Sequence, residues 1–153
     1  MKSNLQKLLE NDPIQSTIDW HGLTLAIEFP KGSVREYKSN NFRKVMPASY
    51  GYVMGTNDYD GEEIDVYVGD NLEAPTVYKL RQLSWEEDYT VDETKWMIGF
   101  SSKDEAIRIY IEATKPSMFG GIIEELTVDE FVLKMNAEVK SVEIESERCG
   151  TYR

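Results

Sequence analysis

The chain has 153 residues, of which 28 are acidic and 17 are basic, and its formal net charge is −11. This length is sufficient for one domain with its own hydrophobic core. The excess of acid argues against broad binding to nucleic-acid backbones, which requires a cationic surface. The chain has one cysteine, Cys149, and one histidine, His21. Neither an internal disulfide nor a histidine-rich zinc site is therefore expected.

The first part of the chain predicts a short helix followed by strands. Residues 1–13 have leucines at helical spacing and end in an Asn-Asp-Pro turn, which predicts a helical appendage. Residues 18–29 alternate apolar and polar positions and predict one or two strands, and after a turn residues 34–37 begin the next strand. This is also the most basic region, with Lys31, Arg35, Lys38, Arg43 and Lys44. The basic residues form either a solvated surface or a clamp for phosphate oxygens.

Residues 50–69 carry the most informative pattern of the chain. A glycine between two tyrosines precedes a turn, and four acidic residues then lie close together: Asp60, Glu62, Glu63 and Asp65. Alternation across residues 64–68 predicts a strand with Asp65 and Tyr67 on one face and aliphatic residues on the other. Clustered carboxylates favour a cation, and a hard divalent metal prefers oxygen ligands. The alternative to a metal site is an acidic hairpin tip. An EF-hand loop that starts at Asp58 is excluded, because it requires glycine at its sixth position and glutamate at its twelfth, where this chain has Glu63 and Gly69.

The second half of the chain predicts two more strands and then helices. Residues 76–83 and 96–100 have strand character, and the acidic segment between them has the character of a loop. Capping boxes at residues 102–105 and 127–130 predict a helix to about residue 114 and a second, short helix. Residues 119–121, Phe-Gly-Gly, are a candidate mobile loop. The tail predicts an edge strand or an interaction arm.

Many short strands followed by late helices predict a mainly β, α+β domain, with a closed or nearly closed barrel and helices packed outside. We expect one domain over residues 1–153, with the barrel and its helices in residues 18–136 and the tail in residues 137–153. The sequence shows no signal peptide and no apolar run of membrane-spanning length. The expected location is the cytoplasm, of a cell or of a phage-infected host.

Two of these segments resemble a known family. Residues 50–53 read YGYV and residues 60–66 read DGEEIDV, which is similar to the signature of soluble (family I) inorganic pyrophosphatases. Closer still are the short pyrophosphatase-like domains of phage and mobile-element proteins. Those domains also carry a Met-Pro pair before the first tyrosine, as at residues 46–47, and a segment similar to VDETKWMIGF at residues 91–100. The resemblance covers about residues 25 to 135.

The resemblance implies a five-stranded OB-like barrel with C-terminal helices outside and a site at its acidic mouth. It also implies a reaction, the hydrolysis of pyrophosphate to two orthophosphates by a metal-activated water. The implied cofactor is Mg²⁺, with Mn²⁺ or another divalent ion as alternatives. The implied partner is this small-molecule substrate. The acidic composition predicts no nucleic-acid partner, and the lack of a spanning apolar run predicts no membrane partner. The sequence leaves open whether the chain forms a homo-oligomer.

The resemblance further implies site residues at the matching positions. The implied metal ligands are Asp60, Asp65, Asp88, Glu93 and Glu28, and Asp92 competes with Glu93 for its place. The implied substrate-binding residues are Arg35, Lys95, Arg43 and Tyr50. The implied catalytic residues are Glu62, Asp65 and Tyr50.

The chain departs from the family pattern at three places. Glu62 stands where the family has an aspartate that helps to activate water, and Glu93 replaces another aspartate. The family's adjacent Tyr-Lys pair near the C-terminus is missing, and Tyr110 and Lys115 are the available substitutes. Two alternatives therefore stay open. One is a catalytically weakened or inactive binding or regulatory module on the same fold, and the other is a hydrolase of another phosphoanhydride, such as a nucleotide.

Overall fold

The computed structural model describes residues 14–37, 42–56, 63–83 and 93–137. The predicted N-terminal helix and the tail after residue 137 lie outside these residues. Four of the acidic residues singled out above also lie outside them: Asp60, Glu62, Asp88 and Asp92.

The described residues form nine strands and two helices. The strands are β1 (Ser16–Trp20), β2 (Leu23–Phe29), β3 (Val34–Tyr37), β4 (Phe42–Val45), β5 (Ser49–Val53), β6 (Ile64–Val68), β7 (Thr76–Gln82), β8 (Glu93–Ile98) and β9 (Phe119–Thr127). Helix α1 is Lys103–Ala113, a 3₁₀ turn follows at Pro116–Met118, and residues 128–137 form helix α2. The predicted fold class, mainly β with helices, is confirmed.

The strands form one large sheet and one hairpin. Seven strands pair in the order β1-β2-β5-β6-β8-β7-β9, and β3 pairs with β4. All of these pairings are antiparallel except that of β6 with β8, which is parallel. The resemblance implies five strands in an OB-like barrel. Across the described part of the chain the sheet is instead open, with β1 and β9 at its edges.

The first edge strand, β1, forms a tight hairpin with β2 that extends from Ser16 to Phe29 and includes the predicted segment 18–29. Trp20 pairs with Leu23, so the loop has two residues, and both have positive φ: 50° at His21 and 81° at Gly22. Two positive φ angles give the turn whose twist matches that of antiparallel strands. The segment is therefore two strands, one of the two outcomes that the alternation allowed.

The second edge strand is β9, and it shows that the prediction of a mobile loop at residues 119–121 is wrong. These residues begin β9, where Phe119 pairs with Gln82 of β7. The glycine allows a close approach, because a Cβ atom added at Gly120 would lie 2.9 Å from the carbonyl oxygen of Arg81. Glycine in a strand interior is unusual, so the sequence favours a loop, although glycine also marks sites where another backbone comes close.

Strand β8 also differs from its prediction, since it begins at Glu93 rather than at residue 96. The sequence of the acidic segment before Trp96 favours a loop because its residues lack apolar alternation. Pairing with β7 extends the strand backwards, with Leu80 opposite Lys95 and Gln82 opposite Glu93. Glu93 and Lys95 are therefore held by strand hydrogen bonds.

Alternation along the strands divides the core into two layers. One layer packs under α2 and includes Trp20, Val66, Trp96, Phe131 and Met135. The other layer packs under α1 and includes Tyr50, Tyr67, Leu80, Met97 and Tyr110. We call the side of the sheet that packs against α2 the α2 face, and the side that packs against α1 the α1 face. Among the described residues, neither helix combines the length and the apolar character needed to cross a membrane.

Candidate active site

Three neighbouring strands bring Tyr50, Asp65 and Lys95 together on the α1 face. Tyr50 of β5 pairs with Tyr67 of β6, and Asp65 lies two residues before Tyr67 on the same face. The parallel pairing of Val66 with Trp96 places Lys95 of β8 beside Asp65. The prediction that Asp65 and Tyr67 share a face is confirmed.

The glycine after Tyr50 is required by packing. A Cβ atom added at Gly51 would lie 1.7 Å from the carbonyl oxygen of Ala26 on β2. Strand β5 can therefore pair with β2 only with glycine here, which fixes the position of Tyr50 on the opposite face.

The side chain of Lys95 is the centre of the cluster. Its ammonium donates hydrogen bonds to Tyr50 Oη at 2.8 Å and to Asp65 Oδ2 at 2.7 Å. Lys95 and Tyr50 are each 5% exposed. A buried ammonium is stable only where anions or acceptors surround it. The cluster is thus a buried cation held by one carboxylate and one phenol.

The protonation states follow from this geometry. Burial opposes the charge of Lys95, but Asp65, Tyr50 and Glu93 together outweigh it and raise the pKa of Lys95 well above its usual value. Burial, assisted by Asp65, raises the pKa of Tyr50 well above its usual value, although Lys95 and Arg35 act in the opposite direction. At neutral pH Lys95 is a cation and Tyr50 keeps its proton. Since Tyr50 Oη accepts from Lys95, its own O–H remains a donor.

The small β3–β4 hairpin adds a second cation to the cluster. The Arg35 guanidinium carbon lies 4.4 Å from the centre of the Tyr50 ring and 5.0 Å from that of Phe29. These distances are within cation–π range. Arg43 lies elsewhere on the hairpin, where its Nε is 3.3 Å from Glu36 Oε1 on an exposed surface. No contact within the described residues joins Arg43 to the cluster.

Glu93 lies at the edge of the cluster. Its Oε2 is 4.0 Å from Lys95 Nζ and accepts a hydrogen bond of 2.9 Å from Gln82 Nε2. Gln82 Oε1 in turn accepts a hydrogen bond of 2.8 Å from the Tyr110 hydroxyl. The sequence reasoning missed Gln82, because a single glutamine on a strand carries no local signal. Tyr110, one of the two substitutes for the missing pair, contacts Gln82 through its hydroxyl, and its ring centre lies 5.7 Å from that of Tyr67.

The remaining predicted residues are placed as follows. Glu28 is on β2 and is 8% exposed. Asp60, Glu62, Asp88 and Asp92 lie outside the described residues. Within the described ranges no three histidine, cysteine or acidic side chains gather as a metal site. Asp65 and Glu93 both lie near the Lys95 ammonium, with oxygens 2.7 Å and 4.0 Å from Nζ. Carboxylate oxygens of this kind suit a hard divalent cation once further ligands join them.

Comparison with known proteins gives the family. The family model described as Inorganic Pyrophosphatase matches residues 6–136. No curated protein is significantly similar in sequence.

The solved structures to which the chain is similar include three bacterial inorganic pyrophosphatases. The protein from Helicobacter pylori is 14% identical, with a TM-score of 0.46, over 78% of this chain and 92% of its own. The protein from Coxiella burnetii is 14% identical, with a TM-score of 0.43, over 76% of this chain and 92% of its own. The protein from Neisseria gonorrhoeae is 13% identical, with a TM-score of 0.39, over 74% of this chain and 84% of its own. Because the family model matches residues 6–136, which is most of the chain, the chain belongs to the inorganic pyrophosphatase family of hydrolases.

Proposed function

We propose that this chain hydrolyses inorganic pyrophosphate to two orthophosphates in a reaction that depends on a divalent metal. The observation that carries the proposal is the buried Lys95 ammonium held between Asp65 and Tyr50. Pyrophosphate is a compact polyanion, and a fixed cation in a poorly hydrated site stabilises it strongly. The acidic composition of the chain is consistent with a small anion bound together with metal, and not with nucleic acid.

The side chains of the cluster would each bind the substrate in a different way. Lys95 would donate to phosphoryl oxygens and stabilise charge on the leaving phosphate. The Tyr50 O–H, free to donate, would bind a second oxygen. Arg35, with its guanidinium stacked on Tyr50, would present its planar fork to the same group. Arg43 is the weaker of the proposed substrate ligands, because its contact runs to Glu36.

The acidic residues would hold the metal. We propose Asp65 and Glu93 as ligands together with Asp60, Asp88 and Glu28, and Mg²⁺ as the ion, with Mn²⁺ as an alternative. When bound, such an ion neutralises phosphate charge and lowers the pKa of a water molecule towards about 7. Glu62 would accept the proton of the attacking water. Its side chain is one methylene longer than that of aspartate, and a displacement of about 1 Å can cost on the order of 10²-fold in rate.

The test is orthophosphate release from pyrophosphate with Mg²⁺ and then with EDTA. We expect turnover with Mg²⁺, none with EDTA, and none in Asp65→Asn. The matched control is Asp70→Asn, because Asp70 is an exposed carboxylate that also pairs with a lysine, Lys31, at 2.6 Å. It should keep wild-type activity.

Absence of turnover with Mg²⁺, Mn²⁺ and Co²⁺ would contradict the proposal. Orthophosphate release from a nucleotide but not from pyrophosphate would indicate the other phosphoanhydride hydrolase. Binding of pyrophosphate without turnover would indicate a binding module. A cytoplasmic location is part of the same proposal.

A further inference from the structure

We propose that Gln82 is a positioning residue that holds Glu93 away from Lys95 and so keeps a lysine donor available for the substrate. Gln82 lies between a buried tyrosine of α1 and an exposed carboxylate of β8, and it contacts both. The inference rests on the proposed function, because it concerns how Lys95 meets pyrophosphate.

The orientation of the Gln82 amide is set by its two partners. A carboxylate only accepts hydrogen bonds, so the amide nitrogen must face Glu93. The amide oxygen then faces Tyr110, whose hydroxyl donates to it at 2.8 Å. Tyr110 is fully buried. The amide is thus fixed at one end by a side chain that the α1 face of the core holds in place.

Lys95 has three N–H donors, and two of them bond to Tyr50 and Asp65. Glu93 Oε2 is 4.0 Å from the same nitrogen, which is too long for a hydrogen bond. Asp65 approaches this nitrogen to 2.7 Å. The Glu93 carboxylate is therefore close enough to Lys95 for electrostatic attraction but does not form a hydrogen bond with its ammonium.

The hydrogen bond from Gln82 explains this separation. It is 2.9 Å long and is made to Oε2, the same oxygen that faces Lys95. The Glu93 side chain is 54% exposed, so few packing contacts restrict its rotamers. Without the amide, we expect Glu93 to close onto the ammonium and to occupy the third donor. A polyanionic substrate would then have to displace a carboxylate before it could bind Lys95.

The test is a double-mutant cycle on Gln82→Met and Glu93→Gln. Methionine keeps the approximate volume and removes both polar atoms. We expect Gln82→Met to raise KM for pyrophosphate about 3- to 10-fold with a smaller change in kcat, the size of one lost hydrogen bond. The Glu93→Gln variant, which also changes a proposed metal ligand, is the reference for the second half of the cycle, and in it Gln82→Met should raise KM less than in wild type, because a neutral amide is attracted to Lys95 more weakly than a carboxylate. Tyr110→Phe should raise KM in the same direction but less.

A second readout separates this inference from the proposed function. The dissociation constant of methylenediphosphonate, whose P–C–P linkage is not hydrolysed, is measured by calorimetry with Mg²⁺ for the same variants. The dissociation constant should rise with KM while the melting temperature stays within a few degrees of wild type. Arg81→Met, on the neighbouring residue, is the control for a general effect on β7.

An unchanged KM and dissociation constant in Gln82→Met would overturn the inference, as would an equal rise in the Glu93→Gln background. Wild-type protein that binds the analogue without hydrolysing pyrophosphate would overturn the proposed function, and the analogue titration would still decide the role of Gln82. Wild-type protein that does neither would overturn both.

Discussion

The two faces of the sheet are built from the same strands and differ in chemistry. On the α2 face, Val66 and Trp96 lie in a layer of apolar residues closed by Phe131. On the α1 face, their strand neighbours Asp65 and Lys95 form an ion pair in which Lys95 is buried and Asp65 is partly exposed. One strand thus stabilises the fold with one set of alternate residues and binds charge with the other. Residues that stabilise the fold and residues that form the site therefore alternate along the same strands, and each set can be changed without the other.

The largest expected effect is on the α2 face. Phe131 is fully buried and its ring lies 5.0 Å from that of Trp96. We expect Phe131→Ala to lower the free energy of unfolding by about 3–5 kcal/mol, measured by urea denaturation, with kcat of the folded protein little changed. Leu133→Ala on the same helix, at a side chain that is 73% exposed, should cost less than about 0.5 kcal/mol. A large fall in kcat of Phe131→Ala, with the free energy of unfolding unchanged, would contradict the separation of stability and site chemistry between the two faces.

The next effect is on the α1 face. Lys95→Met should lower kcat/KM for pyrophosphate by about 10²- to 10³-fold, because it removes a fixed donor from a poorly hydrated site. Lys79→Met is the matched control, since Lys79 lies on the neighbouring strand with its ammonium 5.3 Å from the Trp96 ring, on the α2 face. Steady-state kinetics on both variants checks this prediction. Equal losses in the two would contradict the assignment of the site to one face.

A smaller effect should distinguish the two arginines of the β3–β4 hairpin. Arg35→Lys loses the planar stacking on Tyr50 and should raise KM about 2- to 5-fold, the size of one cation–π contact. Arg43→Lys should change KM less than Arg35→Lys does, because Arg43 pairs with Glu36 on the surface. The reverse order would show that the hairpin presents Arg43 to the substrate instead.

The smallest effect is on stability at alkaline pH. Lys95 and Tyr50 both hold their protons more tightly in the folded chain, since the pKa of each is raised. The folded state therefore binds more protons once pH exceeds the unfolded values of about 10. Their contribution is fully present below about pH 9 and is lost as pH rises through the folded pKa values. Urea midpoints of the metal-free protein from pH 7 to 11 should fall less steeply in Tyr50→Phe than in wild type.

Local pattern predicted those parts of the fold and site that depend on neighbours in sequence. Alternation predicted β6 and the common face of Asp65 and Tyr67, and the capping box predicted α1, whose Ser102 hydroxyl accepts from the Glu105 backbone N–H. The parallel pairing that sets Lys95 beside Asp65 is a property of strand order, which no local period encodes. The prediction of Lys95 as a site residue therefore depends on the resemblance to the family and not on a local sequence pattern.

The features that were missed depend on long-range contacts. The glycines of β9 were interpreted as a loop because their strand partner, β7, lies far away in sequence. Gln82 finds its partners 11 and 28 residues later in the chain. The roles of Asp60, Glu62 and Asp88 stay predictions.

The parallel pairing of β6 with β8 has a consequence for how the protein folds. Strands β1, β2, β5 and β6 pair antiparallel in chain order, and β8, β7 and β9 form a second antiparallel group. The two groups meet only through the parallel pairing of β6 with β8, which cannot form as a hairpin and needs a crossover connection, here one that includes β7. Tyr50 and Asp65 belong to the first group, and Lys95 belongs to the second. The ion pair at the centre of the site therefore forms only when the two groups dock, so activity regained during refolding would report the completed sheet.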